Sequence, residues 1–306
     1  MTGTLSDTGT LTDTETLTDA GYLGASPSAI RTHYDISNEF FFLWLDPTRT
    51  YSCALWDGEE DSLQQAQERK LDFYAGAVRA TGAARVLDVG CGWGSLLHRL
   101  VEEHDVENVV GLTLSETQRD YIDTWADGRY EVAVQNWADH EPRGLYDAIV
   151  SLGAFEHFAD MGLSRPGRVE AYRRFFTRCH DWLRPGGRLA VQTNVKGNNV
   201  AMSRQAVRDQ LFIIDRIYPE SELPWPSEIL EASERLFDVV FVRNEPDQYI
   251  RTCRTWLERL QATSDEAKAL VGDEVVADYQ RYLEACIDGF AKRHIGLVRA
   301  VFERID

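Results

Sequence analysis

The chain is poor in positive charge. Among its 306 residues, Lys and Arg number 32 against 50 Asp and Glu, a formal net charge of −18. A nucleic-acid binder needs cations to displace counterions, so that class is excluded. The same deficit leaves no polybasic segment to hold the protein on an anionic bilayer, and no stable membrane association is expected. No apolar run approaches the roughly 20 residues of a membrane span. The N-terminus, MTGTLSDTGTLTDTETLTDAG, has neither a basic nor an apolar stretch and does not read as a secretory signal. Cysteine is sparse. Cys53, Cys91, Cys179, Cys253 and Cys286 are scattered, odd in number and without a CxxC pair. That pattern argues against both a zinc site and a disulfide framework. The expectation is a cytoplasmic protein with reduced thiols and no bound metal. Proline at 9 and glycine at 22 exclude a collagen-like or Pro-rich disordered chain.

Apolar residues make up 43% of the sequence, and the length can bury a real core. Residues 1–28 repeat a Thr-Leu-x-Asp-Thr phrase, too polar to pack, and are expected to be a disordered or arm-like segment. Residues 29–306 read as one folded domain. Ser62 and Gln65 have capping-box spacing and open a helix that runs to about Ala80. Short apolar strands then alternate with helices. The strands are Arg85 to Val89, Asn108 to Leu114, Tyr130 to Gln135, Tyr146 to Leu152 and Arg188 to Thr193. Helices are expected over Ser95 to Glu103, on through Trp125, and over Val169 to Leu183. This alternation implies an α/β fold with a doubly wound, mostly parallel sheet. Residues 197 to about 233 break the pattern and read as a helical cap inserted over the carboxyl edge of the sheet, where α/β ligand sites lie. Phe237 to Arg243 returns as a strand. Helices are expected to finish the chain, over Gln248 to Gln261 and Ser264 to Glu303, the second broken.

The segment VLDVGCGWGS (residues 86–95) places Gly90, Gly92 and Gly94 between a strand and a helix. Such glycines let backbone approach a ligand closely. Asp88 precedes the first glycine by two residues, where a dinucleotide phosphate would be unwelcome. A carboxylate there suits a cationic ammonium, such as that of the methionine part of S-adenosylmethionine. An NAD site also needs an acid at the end of the second strand. Here that strand ends Leu112-Thr113-Leu114-Ser115, without one. S-adenosylmethionine is therefore favoured over NAD.

Four phrases occur in order: HYDISNEFFFLWLDPTRTYSCA (33–54), LDVGCGWG (87–94), VVGLTLSETQ (109–118) and SLGAFEHF (151–158). Together they resemble the cyclopropane-fatty-acid and mycolic-acid cyclopropane synthase family of S-adenosylmethionine-dependent methyltransferases, over roughly residues 30–290. The resemblance implies a Rossmann-like class I methyltransferase fold and a reaction centre that holds a bicarbonate ion. It maps that centre onto Cys53, Glu156, His180, Tyr249 and Cys286. It maps cofactor binding onto Tyr51, Ser52, Gly90, Gly92, Trp93, Thr113, Leu114, Gln118 and Trp137, beside the Asp88 read from the loop. In this chemistry an alkene attacks the sulfonium methyl and leaves a carbocation, which closes a cyclopropane on losing a proton. Aromatic faces stabilise a cation by ~0.5–2 kcal/mol each, and Trp44, Phe155, Tyr218, Trp225 and Trp256 are candidate walls.

The chain also departs from the family. Gln192 stands where the family usually has a His in a Leu-His-Thr phrase, Gln248 replaces a His before Tyr249, and Phe290-Ala291-Lys292-Arg293 replaces a Phe-Arg-x-Gly phrase. These changes are expected to fall in or near the acceptor side. Two acceptor classes stay open: an unsaturated acyl chain of a lipid, as the resemblance implies, and a soluble or carrier-presented specialised metabolite. Nothing in the sequence fixes an oligomeric state.

Overall fold

Hydrophobic strands of five to seven residues, each followed by an amphipathic helix, can bury their apolar faces only by stacking side by side under helices. The computed structural model, which describes Gly24, Ser26 and residues 36–306, shows that arrangement. The expected N-terminal arm, apart from Gly24 and Ser26, lies outside the described residues. Seven strands form one sheet in the order β3-β2-β1-β4-β5-β7-β6. They are β1 (Arg85–Val89), β2 (Asn108–Thr113), β3 (Tyr130–Val134), β4 (Tyr146–Leu152), β5 (Leu183–Lys196), β6 (Phe237–Asn244) and β7 (Ile295–Arg304). The first five pair in parallel, and β7 runs antiparallel to both β5 and β6.

Helices α1 (Asn38–Trp44), α2 (Leu63–Ala77), α3 (Ser95–Glu103), α4 (Glu116–Asp123) and α5 (Arg165–Trp182) precede β5. The capping box at Ser62 forms as expected: Gln65 N–H donates to Ser62 Oγ at 3.2 Å, and Ser62 N–H donates to Gln65 Oε1 at 2.9 Å. Strand pleating then divides the core. Leu87, Val89 and Ile149 pack in one cluster with Phe175 and Phe176 of α5, while Val86, Ala148 and Val150 pack in another with Leu71 of α2 and Leu97 of α3. A third cluster, rich in aromatics, joins Phe40, Phe41 and Trp44 to the last helices. Those are α8 (Pro246–Ala262), α9 (Ser264–Val271) and α10 (Asp273–Ala291).

Two elements differ from the sequence expectation. The last helix does not reach Glu303; α10 ends at Ala291 and the chain returns as β7. That strand is inserted between β5 and β6 and buries seven consecutive residues, so its sequence shows no strand alternation. The cap segment contains α6 (Arg204–Arg216), as expected, and a further short helix, α7 (Pro226–Ser233), opened by a proline in its first turn. No helix among the described residues is long and apolar enough to cross a membrane.

Candidate functional site

The parallel strands deliver their following loops to one edge of the sheet, and two adjoining cavities open there. The first, of about 120 Å³, lies over the glycine loop. Its walls include Tyr51, Ser52, Asp88, Gly90, Gly92, Trp93, Thr113, Leu114, Gln118 and Trp137, which are all the cofactor residues expected from the sequence. The loop geometry explains the glycines. Gly90 and Gly92 have φ of +85° and +55°, and a Cβ on Gly90 would lie 2.5 Å from Ala154 Cβ. Gly94, at φ +78°, caps α3. After β2, Thr113 Oγ1 donates to Gln118 Oε1 at 2.7 Å, which holds the wall opposite the loop. Trp93 Nε1 donates to Asn38 Oδ1 at 2.7 Å and ties the loop to α1.

Asp88 is buried with its Oδ1 unpartnered, and burial lifts its carboxyl to about 7. Lys70, on α2, lines the same cavity. The sequence reading missed it, because one lysine in a helix of mixed polarity carries no signal of burial.

The second cavity is larger, about 460 Å³, and shares Tyr51, Ser52, Gly153 and His157 with the first. Glu156 and Tyr249 are in its wall. Glu156 sits on a one-turn 3₁₀ segment after β4, with Oε1 accepting from Asn194 N–H at 2.6 Å and Oε2 buried without a partner. Burial raises its carboxyl to about 7. Burial likewise raises the Tyr249 phenol well above its ordinary value. Its ring packs against Phe290 and Trp256. Cys53 and Cys286 stand behind this wall, in the same buried cluster as Tyr249. Burial pushes the Cys53 thiol up to about 11, so neither its charge state nor its setting is that of a nucleophile.

His180 is not brought to this cavity, against the sequence expectation. Helix α5 leaves the carboxyl edge after β4 and runs back against the strands, so a residue in its last turn reaches the opposite edge. There His180 Nε2 bonds the carbonyl of Ile305 at 2.8 Å, and the ring packs on Phe237. The residues found instead beside Glu156 are His157 and Gln192. His157 Nδ1 lies 2.7 Å from Ser221 Oγ, and burial lowers its pKa to about 4, which keeps the imidazole neutral. Gln192 accepts from Arg299 and, at 3.4 Å, from Tyr74 through its amide oxygen. Gln192 itself is in the cavity wall. Of the candidate aromatic walls, Tyr218 and Trp225 line the cavity, while Trp44, Phe155 and Trp256 are core.

The cap supplies the far side, with Ile213 and Leu223 among polar groups including Asp209, and His294 before β7 adds to it. Lys196 at the end of β5 pairs with Glu222 across this side. No group of three or more His, Cys, Asp or Glu side chains among the described residues is placed to hold a metal ion.

This geometry has close counterparts. The sequence pattern of the mycolic acid cyclopropane synthetase family matches residues 24–300. Cyclopropane mycolic acid synthase 2 of Mycobacterium leprae is 37% identical over 282 residues, covering 87% of this chain and 90% of that protein. Hydroxymycolate synthase MmaA4 of Mycobacterium tuberculosis is also 37% identical, over 84% of this chain and 86% of its own. Among solved structures, the cyclopropane synthase MmaA2 of M. tuberculosis superposes with a TM-score of 0.85 at 30% identity, covering 93% of this chain and all of that one. Mycolic acid cyclopropane synthase CmaA1, solved with S-adenosylhomocysteine, gives 0.84 at 33% identity, over 92% of this chain and 99% of its own.

Proposed function

Because the chain belongs to the mycolic acid cyclopropane synthetase family of S-adenosylmethionine-dependent enzymes, we propose that it closes a cyclopropane on an unsaturated acceptor that is soluble or presented on a carrier. The observation that carries this reading is Glu156: a buried carboxyl with one unpartnered oxygen, raised to about 7, in the wall of a cavity that adjoins the cofactor cavity. Bound S-adenosylmethionine supplies an electrophilic methyl carbon to the alkene, and ring closure releases one proton from that carbon. Glu156 has the affinity to take that proton near neutral pH. Tyr218, Trp225 and Tyr249 line the same cavity, and aromatic rings there would stabilise a developing cation. The neutral His157 and Tyr51 stand between the two cavities and fix the approach of acceptor to methyl.

A bicarbonate ion fits the same wall. Gln192 and Tyr249, in that wall, carry the donors such an anion needs. Tyr249 and Gln192 would hold the ion beside Glu156, with Cys53 and Cys286 behind them.

The acceptor cavity falls within the size of ordinary small-molecule sites. Its mixed lining suits a molecule with an apolar unsaturated segment and a polar group. A lipid acyl chain is the second reading. It is supported by the substrates named for the relatives and by the exposed Val200, Val207 and Leu211 on and before α6. Mass spectrometry of products from unsaturated small molecules, carrier-bound acyl chains and phospholipid vesicles tests both. A gain of one CH2 on a soluble or carrier-bound acceptor, with no co-sedimentation with anionic vesicles at physiological salt, is expected. Transfer confined to bilayer lipid would establish the second reading instead.

A further inference from the structure

Lysine is almost never fully buried unless it is paired. Lys70 is 0% exposed, and its ammonium makes no ion pair among the described residues. Its hydrogen bond runs to a neutral group, Ser52 Oγ, at 2.7 Å. Asp88 is 3% exposed, has an unpartnered Oδ1 and likewise forms no ion pair among the described residues. The two opposite charges line one cavity, yet they do not meet. Burial, with Arg299 nearby, lowers Lys70 to about 7, so holding its charge costs stability in the free protein. A ligand carrying an anion and a cation a few ångströms apart would satisfy both side chains at once. The amino-acid end of S-adenosylmethionine is such a ligand.

We propose that Lys70 is a cofactor-binding residue, whose ammonium, together with Ser52, receives the α-carboxylate of S-adenosylmethionine while Asp88 receives the α-ammonium. This rests on the cofactor assignment that family membership carries and not on the acceptor. It explains why a helix outside the glycine loop sends a cation into the cavity, and why Ser52 is bonded from behind by an ammonium. The ligand completes an alternating row of charges: Lys70, carboxylate, ammonium, Asp88. A hydrogen bond to a charged group in such a setting is worth about ten- to a hundredfold in affinity.

The test is calorimetric binding of S-adenosylmethionine, decarboxylated S-adenosylmethionine and 5′-methylthioadenosine. Wild-type protein should bind the decarboxylated compound about ten- to a hundredfold more weakly than S-adenosylmethionine. Lys70→Met should lose that same factor for S-adenosylmethionine and bind the decarboxylated compound as wild type does. Lys70→Gln, which keeps a donor for Ser52, should show the same selective loss and serves if Lys70→Met does not fold. Asp88→Asn should weaken both amine-bearing ligands and spare 5′-methylthioadenosine. Equal wild-type affinity for the first two ligands would overturn the proposal. So would an equal loss for both in the Lys70 variants. Failure of wild-type protein to bind any of the three would contradict the cofactor assignment itself, and the proposal with it.

Discussion

Gln192 and Arg299 are register partners on β5 and β7, and the guanidinium of Arg299 donates to the amide oxygen of Gln192. Arg299 is fully buried. It also pairs with Glu245 at 2.9 Å, donates to the Ala54 carbonyl at 2.8 Å and lies 3.5 Å from Cys53 Sγ. One cation thus ties two strands to the Cys53 segment and to the residue before α8, the helix that carries Tyr249. Gln192 occupies the position of the expected family histidine, so the acceptor wall here is braced by a buried guanidinium. Arg299→Met would leave Gln192, the Ala54 carbonyl and Glu245 without their partner. Breaking a buried pair from one side costs about 3–5 kcal/mol. Thermal melts should show that loss, and Arg299→Lys should recover little of it, because an ammonium lacks the planar fork. A wild-type melting temperature for Arg299→Met would deny the bracing role.

Glu156→Gln should cut turnover by ~10²–10⁴-fold, the range for loss of an acid–base group. Binding of S-adenosylhomocysteine should hardly change, since Glu156 lines the acceptor cavity and not the cofactor cavity. Calorimetry beside product assays separates the two. A collapse of cofactor affinity would make Glu156 a cofactor ligand.

The same variant should alter the pH dependence of stability. Burial raises the folded pKa of Glu156 from the ordinary 4.5 to about 7. The folded state therefore favours the proton, a contribution present in full below the lower value and lost as pH rises through the upper one. Replacing Glu156 with Gln removes that loss. Its melting temperature should gain on wild type between pH 5 and pH 8, corresponding to at most about 3 kcal/mol. Asp88 is raised in the same way but titrates in both proteins, so it cancels in the difference. A constant difference across that range would show that Glu156 titrates at its ordinary value.

Gly90 and Gly92 should fail differently. A Cβ on Gly90 meets Ala154 at 2.5 Å, so Gly90→Ala should lower both stability and cofactor affinity. A Cβ on Gly92 meets nothing within 4 Å, although its φ is +55°. Gly92→Val should fold with a modest loss and abolish cofactor binding, because the added side chain enters the space that backbone must keep clear. Normal S-adenosylhomocysteine binding by Gly92→Val would place the cofactor elsewhere.

Local signals carried much of the fold. The span from α2 to β4 was legible because short apolar strands, glycine turns and helix caps each act within a few residues, as at Ser62, Asp88 and Gly94. Strand β7 was not, because burial on both faces erases the alternation that marks a strand, and the segment was expected to continue the last helix. His180 shows a different gap. The resemblance placed it at the reaction centre, but the direction of α5 decides which sheet edge it reaches, and direction is a tertiary property. Lys70 entered its cavity unannounced for the same reason: it is defined by what the fold packs around it.

Trideuteromethyl S-adenosylmethionine provides the most direct test of ring closure. Incubation with an accepted alkene and mass spectrometry of the product counts the deuterons retained on the transferred carbon. A product that keeps two of the three, with no exchange from solvent, is expected, because closure removes one to a base such as Glu156. A product that keeps all three would be a simple methylation and would contradict cyclopropane formation.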